Sequence, residues 1–430
     1  MDFQKLDLLI RQKKLKIGVI GFGYVGMPLG IEFAKKGFKV TAFETDKEKI
    51  KKVNNGKSYI TDIKDSEIYN AVKKNLLKAT DDFSYLKEQD LIIICVPTPL
   101  SKTKEPDISY IISACQKISQ NLNKGTVIIL ESTTYPTTTS KIVKPILEKN
   151  GFKAGKDFYL AFSPERIDPG NKKFNIKNTP KIVGGIDETS GKIAQKIYSL
   201  IIKKVVRVSN SNVAETAKLL ENTFRAVNIA MINEFALICD KLGIDIWEVI
   251  DAAKTKPFGF MPFYPGPGIG GHCISLDPMY LRWKMKKMNF KTKFIELADE
   301  INSKMPEYAI QKLKKRLKLK SLKGLKILVV GITYKPDIND TRQSPSIDII
   351  SILFKEHAKV FYYDPYVKEI EICGKKMKSI DFKNLSSYDC VILATNHSGI
   401  NYKKILKESR KVFDTKNALK GLKSEKIITL

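Results

Sequence analysis

Residues Lys16 to Ile20 are a short apolar run that passes directly into Gly21-Phe-Gly23-Tyr24-Val25-Gly26. Few arrangements restrict a fold so tightly. The run predicts a buried strand, the residues through Lys36 a helix, and Lys39 to Phe43 a second strand ending at Glu44. Strand, glycines, helix, strand and terminal acid together form a βαβ unit of the dinucleotide-binding kind. Gly21 permits the tight turn, Gly23 lets a pyrophosphate approach the backbone, and Gly26 allows close packing of helix on strand. The helix N-terminus then faces the phosphates. Glu44 can accept hydrogen bonds from a ribose diol and would repel a 2′-phosphate, so NAD is expected rather than NADP. Asp46 is the next acid that could take that ribose.

The pattern continues. Leu91 to Val96 ends in Pro97-Thr98-Pro99, Thr126 to Leu130 in Glu131-Ser132-Thr133, and Phe158 to Phe162 in Ser163-Pro164-Glu165-Arg166. Open α/β sheets place their ligands at such C-terminal strand ends. Lys181 to Val183 and Val205 to Val208 complete a first domain, residues 1–209. Ser211 to Leu242 then reads as a long helix on which Lys218, Asn222 and Arg225 share a face. A solvated charge stripe would explain that face. So would a buried polar one, because Asn is a poor mid-helix residue without a partner. Helical patterns recur at Glu248 to Lys254 and from Asp277 through Leu317, so residues 210–318 form an all-helical centre expected to pair with a second copy of the chain.

A second α/β part, residues 319–430, opens at Leu325 to Val330 and runs into Gly331-Ile-Thr-Tyr-Lys335-Pro-Asp-Ile-Asn-Asp340-Thr-Arg342. Lys359 to Tyr363, Cys390 to Ala394 and Lys411 to Asp414 follow as strands. Lys335 and Arg342, at a strand's C-terminal end, suit phosphate. His357 and His397 have no partner that the sequence names and read as structural. The expected fold is α/β, with two Rossmann-like doubly wound domains joined by an all-helical central segment.

Bulk properties narrow the classes. A chain of 430 residues needs two or three domains. Six cysteines without a CxxC pair and only three histidines argue against zinc, and no metal is expected. No apolar run reaches a membrane span, and Met1 to Lys14 lacks the apolar core of a signal peptide, so a cytoplasmic protein without membrane insertion is expected. The net charge of +29 suits nucleic acid, an anionic surface or anionic substrates. Its lysines are scattered and no nucleic-acid signature accompanies them, which leaves small anionic ligands and no nucleic-acid partner.

Between the two helical patterns lies Tyr264-Pro-Gly-Pro-Gly268-Ile-Gly-Gly-His-Cys273-Ile-Ser-Leu-Asp277-Pro. This loop is too rich in Gly and Pro for helix or strand. Its glycines allow close approach of a ligand. A helix starting near Cys273 would set thiol and Asp277 carboxylate one turn apart and help to hold a thiolate. The plain alternative is an ordinary loop with a buried Cys.

Taken in order, these motifs resemble the nucleotide-sugar 6-dehydrogenases, the family of UDP-glucose and GDP-mannose dehydrogenases. They are the glycines of Gly21–Gly26, Glu-Ser-Thr-Thr at Glu131–Thr134 and Ser-Pro-Glu at Ser163–Glu165. Ala-Glu-Thr-Ala-Lys-Leu-Leu-Glu-Asn-Thr at Ala214–Thr223, Gly-Gly-His-Cys at Gly270–Cys273 and Lys-Pro-Asp to Asp-Thr-Arg at Lys335–Arg342 follow. The resemblance implies oxidation of a primary 6-hydroxyl to a carboxylate with two NAD, for surface polysaccharide or glycan precursors. By the same resemblance Cys273 is a nucleophile that forms a thiohemiacetal and then a thioester. Lys218 and Asn222 would stabilise oxyanion character, Asp277 would orient or activate water, and Thr133 and Glu165 would hold a water. The resemblance carries NAD contacts to Gly21, Gly23, Tyr24, Val25, Gly26, Glu44, Thr98, Thr133 and Arg342. Substrate contacts fall on Glu165, Arg166, Lys218, Asn222, Arg225, Tyr264, Gly268 and Lys335. The partners implied are a UDP-sugar and a second copy in a homodimer or higher homo-oligomer.

Two departures point to a branch. Leu276 stands where UDP-glucose dehydrogenases commonly carry lysine, and Arg166, Asp168 and Pro169 follow the Ser-Pro-Glu motif. Phe263–Cys273 and Glu221–Arg225 look like the enzymes of UDP-N-acetylhexosamines. Asp277–Lys284 and Phe294–Ala298 are most similar to UDP-N-acetylglucosamine 6-dehydrogenases, with UDP-N-acetylmannosamine or UDP-glucose as alternative substrates. A non-catalytic nucleotide-sugar or NAD-binding module is the rival of another class, and would be expected to have lost the thiol.

Overall fold

A computed structural model describes residues 3–60, 63–101, 105–168, 171, 173–271 and 273–430. Pro169 and His272, both named above, lie outside the described residues, as does the start of the Met1 to Lys14 segment. The chain divides into two compact units, Met1–Glu221 with Met279–Met288, and Asn222–Pro278 with Asn289–Leu430.

The first unit is built on one sheet of eight strands: β1 (Lys16–Ile20), β2 (Lys39–Phe43), β3 (Leu77–Thr80), β4 (Leu91–Ile94), β5 (Val127–Leu130), β6 (Tyr159–Phe162), β7 (Lys181–Gly185) and β8 (Val205–Arg207). Their spatial order is β3-β2-β1-β4-β5-β6-β7-β8. The first six follow the doubly wound order, with the switch point between β1 and β4. All neighbours are parallel except β6 and β7. Strands β4 and β5 are uninterrupted Leu, Ile and Val because both faces are covered. One face buries Val19, Met27, Leu29, Phe33 and Tyr198, and the other Ile92, Ile94, Cys115, Ile118 and Phe158. The N-terminal segment is a helix, Phe3–Arg11, that sends Leu6 into the first of these cores.

The second unit carries β9 (Lys326–Val330), β10 (Lys359–Tyr363), a β11 (Glu369–Ile372) and β12 (Lys375–Lys378) hairpin, β13 (Cys390–Leu393), β14 (Val412–Asp414) and β15 (Ile427–Thr429). Its main sheet is parallel in the order β10-β9-β13-β14-β15, so this Rossmann-like sheet has its switch point between β9 and β13. The fold class expected from sequence is the one found, including the helical centre. The helical run expected from Asp277 through Leu317 is two helices, Asp277–Lys286 and Lys293–Arg316. Asn289, at a φ of 57°, lies in the break between them. Among the described residues no helix is long and apolar enough to cross a membrane.

Candidate active site

In the first unit the glycine motif divides by role. A Cβ at Gly21, whose φ is 85°, would lie 2.6 Å from the Cys95 carbonyl oxygen, and one at Gly26 would lie 2.1 Å from that of Gly21. The protein's own packing requires both glycines. At Gly23 a Cβ would meet nothing within 4 Å, and that open space fits a pyrophosphate. The helix Gly26–Lys35 starts at the third glycine, with half-buried Tyr24 and Val25 in the turn before it.

At the end of β2, half-buried Glu44 accepts N–H bonds from Thr45 at 2.9 Å, Asp46 at 3.3 Å and Phe22 at 3.4 Å. A carboxylate has about four acceptor positions, so capacity remains for a diol. Asp46 is committed elsewhere, capping the helix Lys47–Asn54 through the N–H groups of Glu48 and Lys49. Tyr59 donates to the Phe22 carbonyl; burial, then Glu44 and Asp46, push its pKa up. Thr98 and Thr133 stand half-buried past β4 and β5, whose ends are tied by the Ser132 hydroxyl donating to the Val96 carbonyl at 2.8 Å. The Thr98 carbonyl accepts from the Tyr280 hydroxyl at 2.9 Å. The glycines, Glu44, Thr98 and Thr133 all follow the C-terminal ends of β1, β2, β4 and β5, at one edge of one sheet.

Beside them sits a charged cluster past β5 and β6. Glu165 Oε1 accepts from the Arg166 N–H at 2.6 Å and from the Ile167 N–H. Lys218, buried on the long helix Ser211–Leu242, donates from Nζ to the Glu165 carbonyl at 2.6 Å. Arg166 is paired with Glu221 and donates to the Pro180 carbonyl at 2.9 Å. Sequence reasoning missed two members, Lys181 and the acid role of Glu131, which are hydrogen-bonded at 3.0 Å and buried. Glu215 was also missed. It is fully buried and accepts from the Thr137 and Thr139 N–H groups at 2.6 and 2.8 Å.

In the second unit Cys273 is exposed, whereas Cys115, Cys239 and Cys390 are buried; a buried loop cysteine is therefore ruled out. The helix begins at Asp277 rather than at Cys273, but the Asp277 N–H donates to the Cys273 carbonyl at 2.9 Å. Thiol and carboxylate are thus one turn apart. Asn222 donates from Nδ2 to Asp277 Oδ2, and both are nearly fully buried. That bond explains how an asparagine survives in mid-helix. The polar face read from spacing splits: Lys218 and Asn222 are buried, but Arg225 is exposed.

The glycine loop approaches the protein more closely than expected. A Cβ at Gly270 would lie 2.5 Å from the Gln343 carbonyl, and one at Gly271, φ 83°, 2.6 Å from the Tyr334 ring. The Gly271 N–H donates to the Arg342 carbonyl at 3.2 Å. These glycines dock the loop on the segment after β9, so their smallness is used by the chain itself. Gly268 has a φ of 126° and is half-buried. Exposed Tyr264 stacks on Trp247 with centroids 5.9 Å apart. Lys335 is half-buried, and exposed Arg342 donates from Nε to both Asp340 oxygens, at 2.8 and 3.0 Å.

Two residues beyond β13 and β14 carried no local signal. His397 is not partnerless: it is fully buried, with Nε2 3.0 Å from Asp364 Oδ2. Its Nδ1 accepts the Asp337 N–H at 3.0 Å, so the proton sits on Nε2 and is donated to Asp364. Lys416 Nζ would lie 2.8 Å from a Cβ on Gly266, and burial lowers its pKa to about 8.

Three consecutive descriptions of one family match the chain. They are the NAD binding domain of the UDP-glucose/GDP-mannose dehydrogenase family over residues 15–202, its central domain over 212–304 and its UDP binding domain over 328–421. A UDP-N-acetyl-D-mannosamine dehydrogenase of Pyrococcus horikoshii is 35% identical over 414 residues, 94% of this chain and 96% of that protein. A UDP-N-acetyl-D-glucosamine 6-dehydrogenase of Salmonella typhi is 35% identical over 390 residues, 89% of this chain and 90% of that protein. Among solved structures, a UDP-D-ManNAc dehydrogenase of Pyrococcus horikoshii superposes with a TM-score of 0.87 at 34% identity, covering 96% of this chain and 98% of the other.

Proposed function

The chain belongs to the UDP-glucose/GDP-mannose dehydrogenase family, whose members are NAD-dependent nucleotide-sugar dehydrogenases, and we propose that it oxidises the 6-hydroxyl of UDP-N-acetyl-D-glucosamine to the uronate. NAD would be held by residues 1–209, the UDP-sugar by residues 319–430, and the chemistry centred on residues 210–318. The observation that carries the reading is an exposed thiol, Cys273, one turn from the buried Asn222–Asp277 pair. Structural cysteines are commonly buried and inert, whereas a nucleophile must be reached.

When bound, NAD supplies a hydride acceptor for each of two oxidations at C6. Gly21, Gly23, Tyr24, Val25 and Gly26 would bind its pyrophosphate, Glu44 its ribose, and Thr98, Thr133 and Arg342 its remaining contacts. Cys273 Sγ adds to the aldehyde, giving a thiohemiacetal that becomes a thioester and is cleaved by water. One amide hydrogen of Asn222 is held by Asp277, which fixes the amide so that the other can donate to the C6 oxygen. Lys218 has one of three donors on the Glu165 carbonyl and would use another to stabilise oxyanion character. Asp277 and Glu165, with Thr133, would hold and orient water for the hydrolysis. Arg166, Arg225, Tyr264, Gly268 and Lys335 would bind the nucleotide sugar.

The sequence of Asp277–Lys284 and Phe294–Ala298 supports glucosamine. Relatives at equal identity named for UDP-N-acetyl-D-mannosamine support the C2 epimer as a second reading. NADH formation from UDP-GlcNAc, UDP-ManNAc, UDP-GalNAc and UDP-glucose separates them. Two NADH per UDP-GlcNAc, with little from the others, is expected; preference for UDP-ManNAc would transfer the assignment. Cys273→Ser should yield at most one NADH per sugar, and full two-NADH turnover by that variant would remove the thioester route.

The exposed residues Phe224, Met231, Phe235, Ile238 and Leu242 recur at helical spacing along the long helix. We assign that stripe to a homodimer contact; Phe235→Glu should give a lighter species in sedimentation. Six cysteines without a CxxC pair agree with a reducing cytoplasm.

A further inference from the structure

The one antiparallel pairing in the first sheet delivers a lysine that parallel neighbours could not. In parallel strands the first residue of each lies at the edge away from the ligands. Strand β7 runs against β6, with Phe162 opposite Gly184. Three residues beyond Phe162 and three before Gly184, the same register sets Glu165 against Lys181, the first residue of β7. Lys181 is 4% exposed. Its Nζ donates to Glu131 Oε2 at 3.0 Å and lies 3.5 Å from Glu165 Oε2, 3.4 Å from the Pro164 carbonyl and 5.0 Å from the centre of the Tyr198 ring. The Tyr198 hydroxyl donates to the other oxygen of Glu131. An ammonium this deep persists only where charges and hydrogen bonds offset its lost hydration.

We propose that Lys181 positions Glu165: anchored on Glu131 and Tyr198 below the ligand edge of the sheet, its ammonium fixes Glu165 Oε2 while the Arg166 and Ile167 N–H groups fix Oε1. Glu165 is then clamped at both oxygens as an ionised acceptor. The inference rests on the reading of Glu165 as the residue that holds water for hydrolysis, and it adds Lys181 and Glu131 as the residues that keep it so.

Charge supports the geometry. Burial raises the Glu165 pKa, but Lys181, the Ile167 N–H, Lys218 and the Arg166 N–H together hold it below the ordinary glutamate range. Burial pushes Glu131 up instead. Burial likewise works against the Lys181 charge, and the two carboxylates outweigh it. The groups around Glu165 are Lys181 from β7, Glu131 from the end of β5, Lys218 from the long helix and Arg166, itself paired with Glu221. Cys95 and Tyr198 complete the set, and burial keeps both protonated.

Lys181→Met by itself strands a buried carboxylate and is expected to lose stability. Combining it with Glu131→Gln removes the stranded Glu131 charge and retains an acceptor for Tyr198. The full-length protein is labelled with carboxyl-13C glutamate, the Glu165 signal being identified by its loss in Glu165→Gln. Glu165 should titrate about one pH unit or more higher in the double variant. The acid limb of kcat/KM should move up with it, with KM for NAD unchanged. Lys181→Arg, which keeps the charge, should leave the Glu165 titration near that of the parent. An unshifted Glu165 carboxyl in the double variant, or an equal shift in Lys181→Arg, overturns the proposal. So does a shifted carboxyl with an unmoved pH–rate profile. If the parent forms no NADH from any nucleotide sugar, the proposed function fails, while the carboxyl titration still decides what Lys181 does.

Discussion

The two Rossmann-like sheets make the same turn and use it differently. Gly21 follows β1 with φ 85° and Gly331 follows β9 with φ 82°. A Cβ would lie 2.6 Å from the Cys95 carbonyl at the first and 2.4 Å from the Thr395 carbonyl at the second. Each glycine N–H donates at 2.9 Å to the last residue of the neighbouring strand, Phe43 or Tyr363. Each next residue donates to the acid that follows that strand, Phe22 to Glu44 at 3.4 Å and Ile332 to Asp364 at 2.7 Å. There the likeness stops. A helix begins at Gly26, five residues after the first glycine, but only at Pro345 after the second. Glu44 stays half-buried with acceptor positions left, while Asp364 is fully buried and taken by His397. An acid after the second strand serves a ligand only if the protein leaves it unspent.

The largest test exchanges the two acids. Asp364→Ala removes the acceptor for His397 and for the Ile332, Tyr366 and Val367 N–H groups, all buried or half-buried. Each buried donor left without its acceptor costs about 1–3 kcal/mol, so losing several at once should make the second unit unfold at markedly lower temperature or denaturant. Glu44→Ala should cost below about 1 kcal/mol, as partly exposed sites do. Its effect should fall on the cofactor, weakening NAD and relaxing the discrimination against NADP. Calorimetry of both variants, with NAD and NADP titrations, gives a crossed pattern if the comparison holds. A stable Asp364→Ala, or an unchanged cofactor preference in Glu44→Ala, breaks it.

What could be read from sequence follows the range of the interaction. The β1 turn, its helix and Glu44 lie within thirty residues and announce themselves through glycine spacing and strand period. Four strands of the second sheet, β9, β10, β13 and β14, were legible for the same reason, but the short edge strand β15 was not. The His397–Asp364 pair was not legible either, because 33 residues separate the partners and nothing local marks a histidine as buried. Strand direction is likewise absent from an apolar run. Lys181 to Val183 reads as one more strand, yet the reversal of β7 is what brings Lys181 to Glu165. Helical spacing placed Lys218, Asn222 and Arg225 on one face, but what covers each turn is decided by distant segments, and Arg225 is left exposed. Cys273 was named from its loop; its exposure came only with the fold.

The two turn glycines give a smaller contrast. Gly21→Ala and Gly331→Ala both force a left-handed residue, at about 1–2 kcal/mol, and both press a Cβ into a carbonyl. The stability losses should therefore be similar. Function should separate them: Gly21→Ala disturbs the turn beside open Gly23 and should abolish NAD binding, whereas Gly331→Ala reaches the proposed NAD contacts only through Arg342, further along its own segment, and should weaken NAD much less. Isothermal titration with NAD decides, and equal loss in both variants would mean that the turns are not functionally distinct.

The smallest effect is a pH dependence of opposite sign in the two units. Burial raises Glu215 of the first unit to about 7, against its three donors from Thr137 and Thr139. Its unfolded value is about 4.3, so the protonated form is favoured by folding. That contribution is fully present below about pH 4.3 and is lost as pH rises through about 7. Asp364 of the second unit is the reverse. Burial raises its pKa, but the His397 bond and the Ile332 and Tyr366 N–H groups more than offset this and leave it depressed. Its contribution is present above about pH 3.9, the unfolded value, and is lost as pH falls through the depressed folded one. The difference in Tm between Glu215→Gln and the parent should therefore shift in favour of the variant by a few degrees, about 2–4 °C per kcal/mol, from pH 5 to pH 8. The difference between Asp364→Asn and the parent should stay flat over that range and narrow only on further acidification. Parallel slopes for both variants between pH 5 and pH 8 would show that the two buried acids answer to the same titration, and the contrast between the units would fail at its electrostatic root.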